Sequence, residues 1–95
     1  MAAYVIADVH VDDVEIYSQY SARVPATLAP YGGRFAVRGG AITRAEGNWK
    51  PSRIVMLEFP DMARLKAWYN GPEYQAILQQ RLDSATTSMI FVEGV

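Results

Sequence analysis

Three segments of this chain are apolar at consecutive positions, where a half-solvated strand is apolar only at alternate ones. They are Tyr4-Val5-Ile6-Ala7, Ile54-Val55-Met56-Leu57 and Met89-Ile90-Phe91-Val92. A strand of that kind needs cover on both of its faces. With 95 residues the chain forms one domain, 1–95. A domain of that size has helix enough to cover one face of a sheet. The other face is therefore expected to meet a partner.

The elements follow from local pattern. The first strand spans about 3–10 and ends at Asp12-Asp13. Asp12 is the expected N-cap of a helix from 13 to about 24, with Glu15 three residues on. Val14, Tyr17, Ser21, Val24 and Leu28 form its apolar stripe. Pro25 lacks an N–H and is expected to kink that helix or restart it. Arg34–Arg38 is a second strand, expected to bend at Gly39-Gly40 and continue from Ala41 to Glu46. A loop through Trp49 joins it in a hairpin to a third strand, Arg53–Phe59. Asp61 caps a helix carrying Met62, Leu65, Trp68 and Tyr69, which ends at Asn70-Gly71. Pro72 and Glu73 open another helix that runs to about Ala85 with Tyr74, Ile77, Leu78, Arg81 and Leu82, and Ser88–Glu93 is the last strand.

The order β-α-β-β-α-β is the split βαβ, ferredoxin-like arrangement: an α+β fold with an antiparallel sheet, strand order 4-1-3-2, and helices on one face. The open face is expected to carry Tyr4, Ile6, Ile54, Met56, Met89 and Phe91. Burying each contributes roughly 1.5–3 kcal/mol. A homodimer through the open sheet face, with the interface built on Ile54, Met56 and Phe91, is the simplest cover.

Composition removes several kinds of chemistry. There is no Cys, which excludes thiolate metal sites and Cys nucleophiles, and one His, which excludes a multi-His metal site in one chain. No metal or cofactor is called for. A net charge of −1 with scattered arginines speaks against nucleic acid as a partner. No apolar run reaches 18 residues, so no membrane span is expected. The N-terminus has no basic region ahead of Asp8, so a cytoplasmic location is expected.

Several strings recur together in one known family: Tyr4-Val5-Ile6-Ala7-Asp8-Val9, Val24-Pro25-Ala26-Thr27-Leu28, Tyr31-Gly32-Gly33-Arg34-Phe35, Val37-Arg38-Gly39-Gly40, Glu46-Gly47-Asn48-Trp49, Arg53–Phe59, Trp68-Tyr69 and Pro72-Glu73-Tyr74. On these the chain resembles the DUF1330 family of small bacterial proteins over essentially its whole length. The resemblance implies a dimeric α/β barrel, two ferredoxin-like subunits with sheets face to face and helices outside. It implies no reaction. Related dimeric barrels include cofactor-free monooxygenases, lactone isomerases and haem-degrading enzymes.

Six residues are candidates for ligand binding: Asp8, His10, Arg38, Trp49, Arg53 and Glu58. His10 is the one side chain that titrates near neutrality, and Asp8 shares its strand face and can orient it. Both are expected near Ser52 and Arg53. Arg38 and Arg34 suit a carboxylate ligand, or an ion pair with Glu58 or Glu46. Glu58 is a base if buried, or the partner of Arg34 or Arg53. Trp49 caps a pocket or reaches across a dimer. Tyr17, Tyr20, Tyr69, Tyr74 and Trp68 line a pocket or pack the core. Three readings follow: a small apolar or acidic metabolite bound between sheet and helices; a cofactor-free monooxygenase- or isomerase-like enzyme using His10 and Arg38; and a purely structural dimeric module.

Overall fold

A computed structural model describes residues 1–95. In order it contains β1 (Ala3–Val11), α1 (Val14–Leu28), a 3-10 turn (Ala29–Tyr31), β2 (Arg34–Arg38), β3 (Ile54–Phe59), α2 (Met62–Asn70), α3 (Pro72–Ser84) and β4 (Ala85–Glu93). The sheet order is β2-β3-β1-β4, antiparallel throughout, as the element order implies. No helix is long and apolar enough to cross a membrane.

Asp13 caps α1, not Asp12: its carboxylate accepts from the Ile16 N–H at 3.1 Å. Asp12 instead accepts from the Thr86 hydroxyl at 3.2 Å. Asp61 caps α2 as expected, accepting from the Arg64 N–H at 2.8 Å. Each cap satisfies an amide that has no partner within its helix. β4 starts directly after α3, three residues before Ser88, because β-branched Thr86 and Thr87 extend the pairing to β1.

α1 runs unbroken through Pro25. A proline there leaves the Ser21 carbonyl without its usual donor four residues on. Arg38 supplies one: its Nη2 donates to Ser21 O at 2.8 Å and approaches Ser21 Oγ at 3.3 Å. A side chain from β2 thus stands in for the missing helical hydrogen bond.

One sheet face carries Ala3, Val5, Ala7, Val9, Leu57 and Phe59, all buried under the helices. Against them lies an aromatic stack. Trp68 packs on Phe59 (ring centroids 5.3 Å) and Tyr74 (4.2 Å), and its indole N–H donates to Thr27 Oγ1 at 2.9 Å. Trp68, Tyr69 and Tyr17 therefore belong to the core.

The phase of β4 is opposite to that expected. Phe91 lies opposite Val5 and Met89 opposite Ala7, on the helix face, with Phe91 against Tyr69 at 5.3 Å. Ile90 and Val92 take the open face, 59% and 40% exposed, beside Ile6 and Tyr4. All four residues are apolar, so alternation alone carries no phase. The Tyr69 ring across the helix layer makes the choice. The open face thus carries Ile54, Met56 and Ile90, and Phe91, expected at an interface there, lies on the helix side instead.

β2 also departs from expectation. A bulge lies between Phe35 and Val37, not at Gly39-Gly40, and 41–46 forms no strand. One extra residue turns each later side chain to the other face. Arg34 sits opposite Glu58 on the open side, whereas Arg38 sits opposite Val55 on the helix side. The loop that follows lays Ile42 and Trp49 along the open face, where with Ile6, Ile54 and Met56 they line a shallow depression of about 390 Å³.

Candidate functional site

The helix side of the sheet holds the feature best suited to a ligand. Val11, the outward flank of α1 (Val14, Tyr17, Ser18, Ser21 and Ala22) and the ends of β2 and β3 enclose an open groove of about 470 Å³. Arg38 and Arg53 stand at its edge. The groove leads inward, past Tyr17, Ser21 and both arginines, to a cavity of about 30 Å³ between helices and sheet. Val5, Ala7, Tyr20, Trp68, Tyr74 and Arg81 are among the residues around that cavity. The groove has the capacity of a small-molecule site. The cavity has room for about one water-sized group.

Each arginine is set by its neighbours. Arg38 is held by Ser21 and lies over the Phe35 ring, 4.2 Å from its centroid. Arg53 follows the phase of Val55 and Leu57, so its side chain turns toward α1 and sits 5.7 Å from the Tyr17 ring centroid. Gly39, at φ +68°, gives it room: a Cβ there would overlap the guanidinium. The Arg53 Nε–H is buried and has no hydrogen-bond partner. Arg81, 7% exposed, donates from Nε to Tyr74 Oη at 3.2 Å, and Tyr74 Oη lies 2.7 Å from Tyr20 Oη. Burial and the neighbouring Tyr74 hydroxyl push the Tyr20 phenol far above its usual range. Burial opposes the charge on Arg81, but Tyr74, Tyr20 and Tyr69 together more than offset it and the guanidinium stays cationic.

No Asp or Glu lines the groove or the cavity. The salt bridges of the molecule are His10–Asp12, Arg34–Glu58 and Arg64–Asp61, so none includes Arg38, Arg53 or Arg81. Three guanidiniums around one aromatic-walled space, without a carboxylate, make it attractive to anions.

The remaining candidates lie elsewhere. His10 is exposed on the open face; its Nδ1 is 3.3 Å from Ser52 Oγ and its Nε2 is 3.4 Å from Asp12. Asp8 does not orient it. The Asp8 carboxylate accepts from the Ser52 N–H at 2.9 Å and the Trp49 indole N–H at 3.3 Å. The loop from Trp49 to Ser52 reaches Asp8 and takes up its oxygens. Ser52, His10 and Asp12 thus stand in line at the solvent-exposed surface, away from the groove. Glu58 pairs with Arg34 and is not a free base. Trp49, 63% exposed, covers the open face rather than the groove. Of the six candidates, then, the structure brings together Arg38 and Arg53. The others gather on the opposite side of the sheet, so His10 and Arg38 share no site within a subunit. Arg81 was legible only as one cation in an otherwise apolar helical stripe.

Among solved structures, a protein of unknown function from Rhodopseudomonas palustris is similar at 13% identity, TM-score 0.77, covering 99% of this chain and 82% of that one. A dimeric ferredoxin-like protein of unknown function from Jannaschia sp. CCS1 aligns at 16% identity, TM-score 0.69, over 99% and 100%. SnoaB, a cofactor-independent oxygenase from Streptomyces nogalater, aligns at 14% identity, TM-score 0.65, over 99% and 92%. At these identities the likeness shows the ferredoxin-like fold alone. No curated protein matches the sequence. The model of the DUF1330 family, a domain of unknown function, matches residues 2–95, the whole span of the sheet, groove and cavity just described, and the chain belongs to that family.

Proposed function

We propose that the protein is a homodimeric small-molecule-binding protein, in which each subunit takes an apolar or aromatic acid into the groove between α1 and the ends of β2 and β3. The observation that carries this is the pair Arg38 and Arg53 at the mouth of an aromatic space that contains no acid. A guanidinium binds a carboxylate through two parallel hydrogen bonds, and the surrounding rings take the apolar body. The dimer is formed by the open sheet faces. Ile90 and Val92 are exposed there, and a stable contact buries at least ~1,200 Å² in total. Two related folds are described as dimeric ferredoxin-like proteins.

The enzyme reading that joins His10 to Arg38 lacks its geometry, because the sheet separates them. Resemblance to SnoaB supports the fold and not a reaction.

The test is a thermal-shift screen of organic acids against their neutral amides. Acids are expected to raise Tm, by the linkage of binding to the native state, and amides are not. Arg38→Ala and Arg53→Met are expected to remove the shift, while His10→Ala leaves it. Equal shifts for acids and amides, or shifts that persist in both arginine variants, would refute the reading.

A further inference from the structure

The cluster of Arg81, Tyr74 and Tyr20 has a proton too many. Its two phenols carry two O–H protons. They share one hydrogen bond at 2.7 Å, which uses one of them. The Arg81 Nε–H fills a lone pair on Tyr74 Oη and accepts nothing, because guanidinium has no acceptor. Neither phenol has any other hydrogen bond in the protein. If Tyr20 donates to Tyr74, the Tyr74 proton has no acceptor; if Tyr74 donates, the Tyr20 proton has none. Tyr74 is fully buried and Tyr20 is 7% exposed. A buried donor without an acceptor is destabilising, and native proteins rarely keep one without a use.

Tyr20 and Tyr74 both line the cavity of about 30 Å³. That space is too small for a ring and large enough for one oxygen substituent. It adjoins the groove where Arg38 and Arg53 stand. The positive Arg81 behind Tyr74 favours an acceptor that carries or develops negative charge.

We propose that Tyr74, Tyr20 and Arg81 form a cradle for a single acceptor oxygen, so that the site selects a planar carboxylic acid bearing a second oxygen, with its carboxylate at Arg38 and Arg53 and its carbonyl, phenol or enolate oxygen at the two tyrosines. This rests on the reading of the groove as an acid-binding site and adds the other end of the ligand. Burial holds the Tyr20 phenol in its protonated form, as a donor requires.

The test uses four probes followed by backbone-amide NMR titration: 3- and 4-hydroxybenzoate, and the matching 3- and 4-methylbenzoates, which replace the hydroxyl with a group of similar size. For at least one ring position the hydroxy acid is expected to bind about tenfold more tightly than its methyl twin, the worth of one well-formed buried hydrogen bond. Tyr20→Phe/Tyr74→Phe together is expected to bring that ratio near one and leave the methyl acid's affinity unchanged. Arg53→Met is expected to weaken hydroxy and methyl acids alike. Equal binding of the twins to the native protein, with Arg53→Met weakening both, overturns the cradle and leaves the groove reading standing. Absence of any shift in α1, β2 or β3 with all four probes overturns both. Should the double variant fail to fold, the ratio in the native protein decides alone.

Discussion

The two faces of this sheet are made by the same strands, residue by residue in alternation, yet they lack opposite things. On the open face the charges borne by the strands are satisfied: Arg34 meets Glu58, His10 meets Asp12, and Asp8 is held by Trp49 and Ser52. What is unsatisfied there is apolar area, with Ile90 and Val92 in water. On the helix face the apolar side chains are packed and the polar groups are unsatisfied: three arginines without carboxylates, a buried Nε–H, and a spare phenolic proton. Missing apolar cover is best supplied by another protein surface, and a second copy has the same deficit. Missing polar partners in a confined space are best supplied by a small anionic molecule. On the function proposed above, one sheet offers one face for assembly and the other for a ligand.

The largest effect is expected where the contrast is broken from the open side. Ile90→Lys places a charge on the exposed apolar patch, and in a two-fold dimer it does so twice. Light scattering is expected to report the 10.6 kDa chain where the native protein gives twice that mass, with the fold intact because Ile90 makes no part of the core. A dimer that survives Ile90→Lys unchanged would move the interface off this face.

A smaller effect is expected from the helix side. Arg38→Met leaves the Ser21 carbonyl with no donor and is expected to cost about 1 kcal/mol of stability, by analogy with other single hydrogen bonds. Pro25→Ala restores an N–H at that carbonyl. In the Pro25→Ala background, Arg38→Met is expected to cost measurably less, a coupling readable by denaturant titration of the double-mutant cycle. Equal costs in both backgrounds would mean that Arg38 contributes nothing to the helix and serves the groove alone.

The smallest effect is a control within the helix layer, away from both deficits. Tyr31 donates to Glu73 at 2.6 Å, which lowers the Glu73 pKa and raises that of Tyr31. A lowered carboxyl pKa gives stability present above its unfolded value of 4.5 and lost as pH falls through the folded one; a raised phenol pKa gives stability present below 10.0 and lost as pH rises past it. Tyr31→Phe is therefore expected to lower Tm slightly at neutral pH, with the difference from the native protein narrowing below pH 4.5. A difference independent of pH would show that the contact acts through packing alone.

What the amino-acid order determined by itself is the list of elements and their topology. Caps, glycines and apolar periods are local signals, and the rule that connects β-α-β units is general, so the strand order 4-1-3-2 and the Arg34–Glu58 pairing were both legible. Fold family was legible too, from strings spread along the whole chain. Facing was not. Met89-Ile90-Phe91-Val92 is apolar at every position, so only the Tyr69 ring across the helix layer selects which pair is buried. The bulge between Phe35 and Val37 has no signature in its residues, and it alone sends Arg38 to the helix side and separates it from His10. Pro25 reads as a helix breaker until β2 brings a guanidinium to the carbonyl it orphans. Tyr74 and Arg81 are ordinary members of one helical stripe and Tyr20 lies outside the stripe read for the first helix, so their shared proton count exists only once α1 lies on α3. Periodicity reports which residues lie on one side of an element. Which neighbour that side meets depends on contacts between residues far apart in the chain, and those form only in the packed fold.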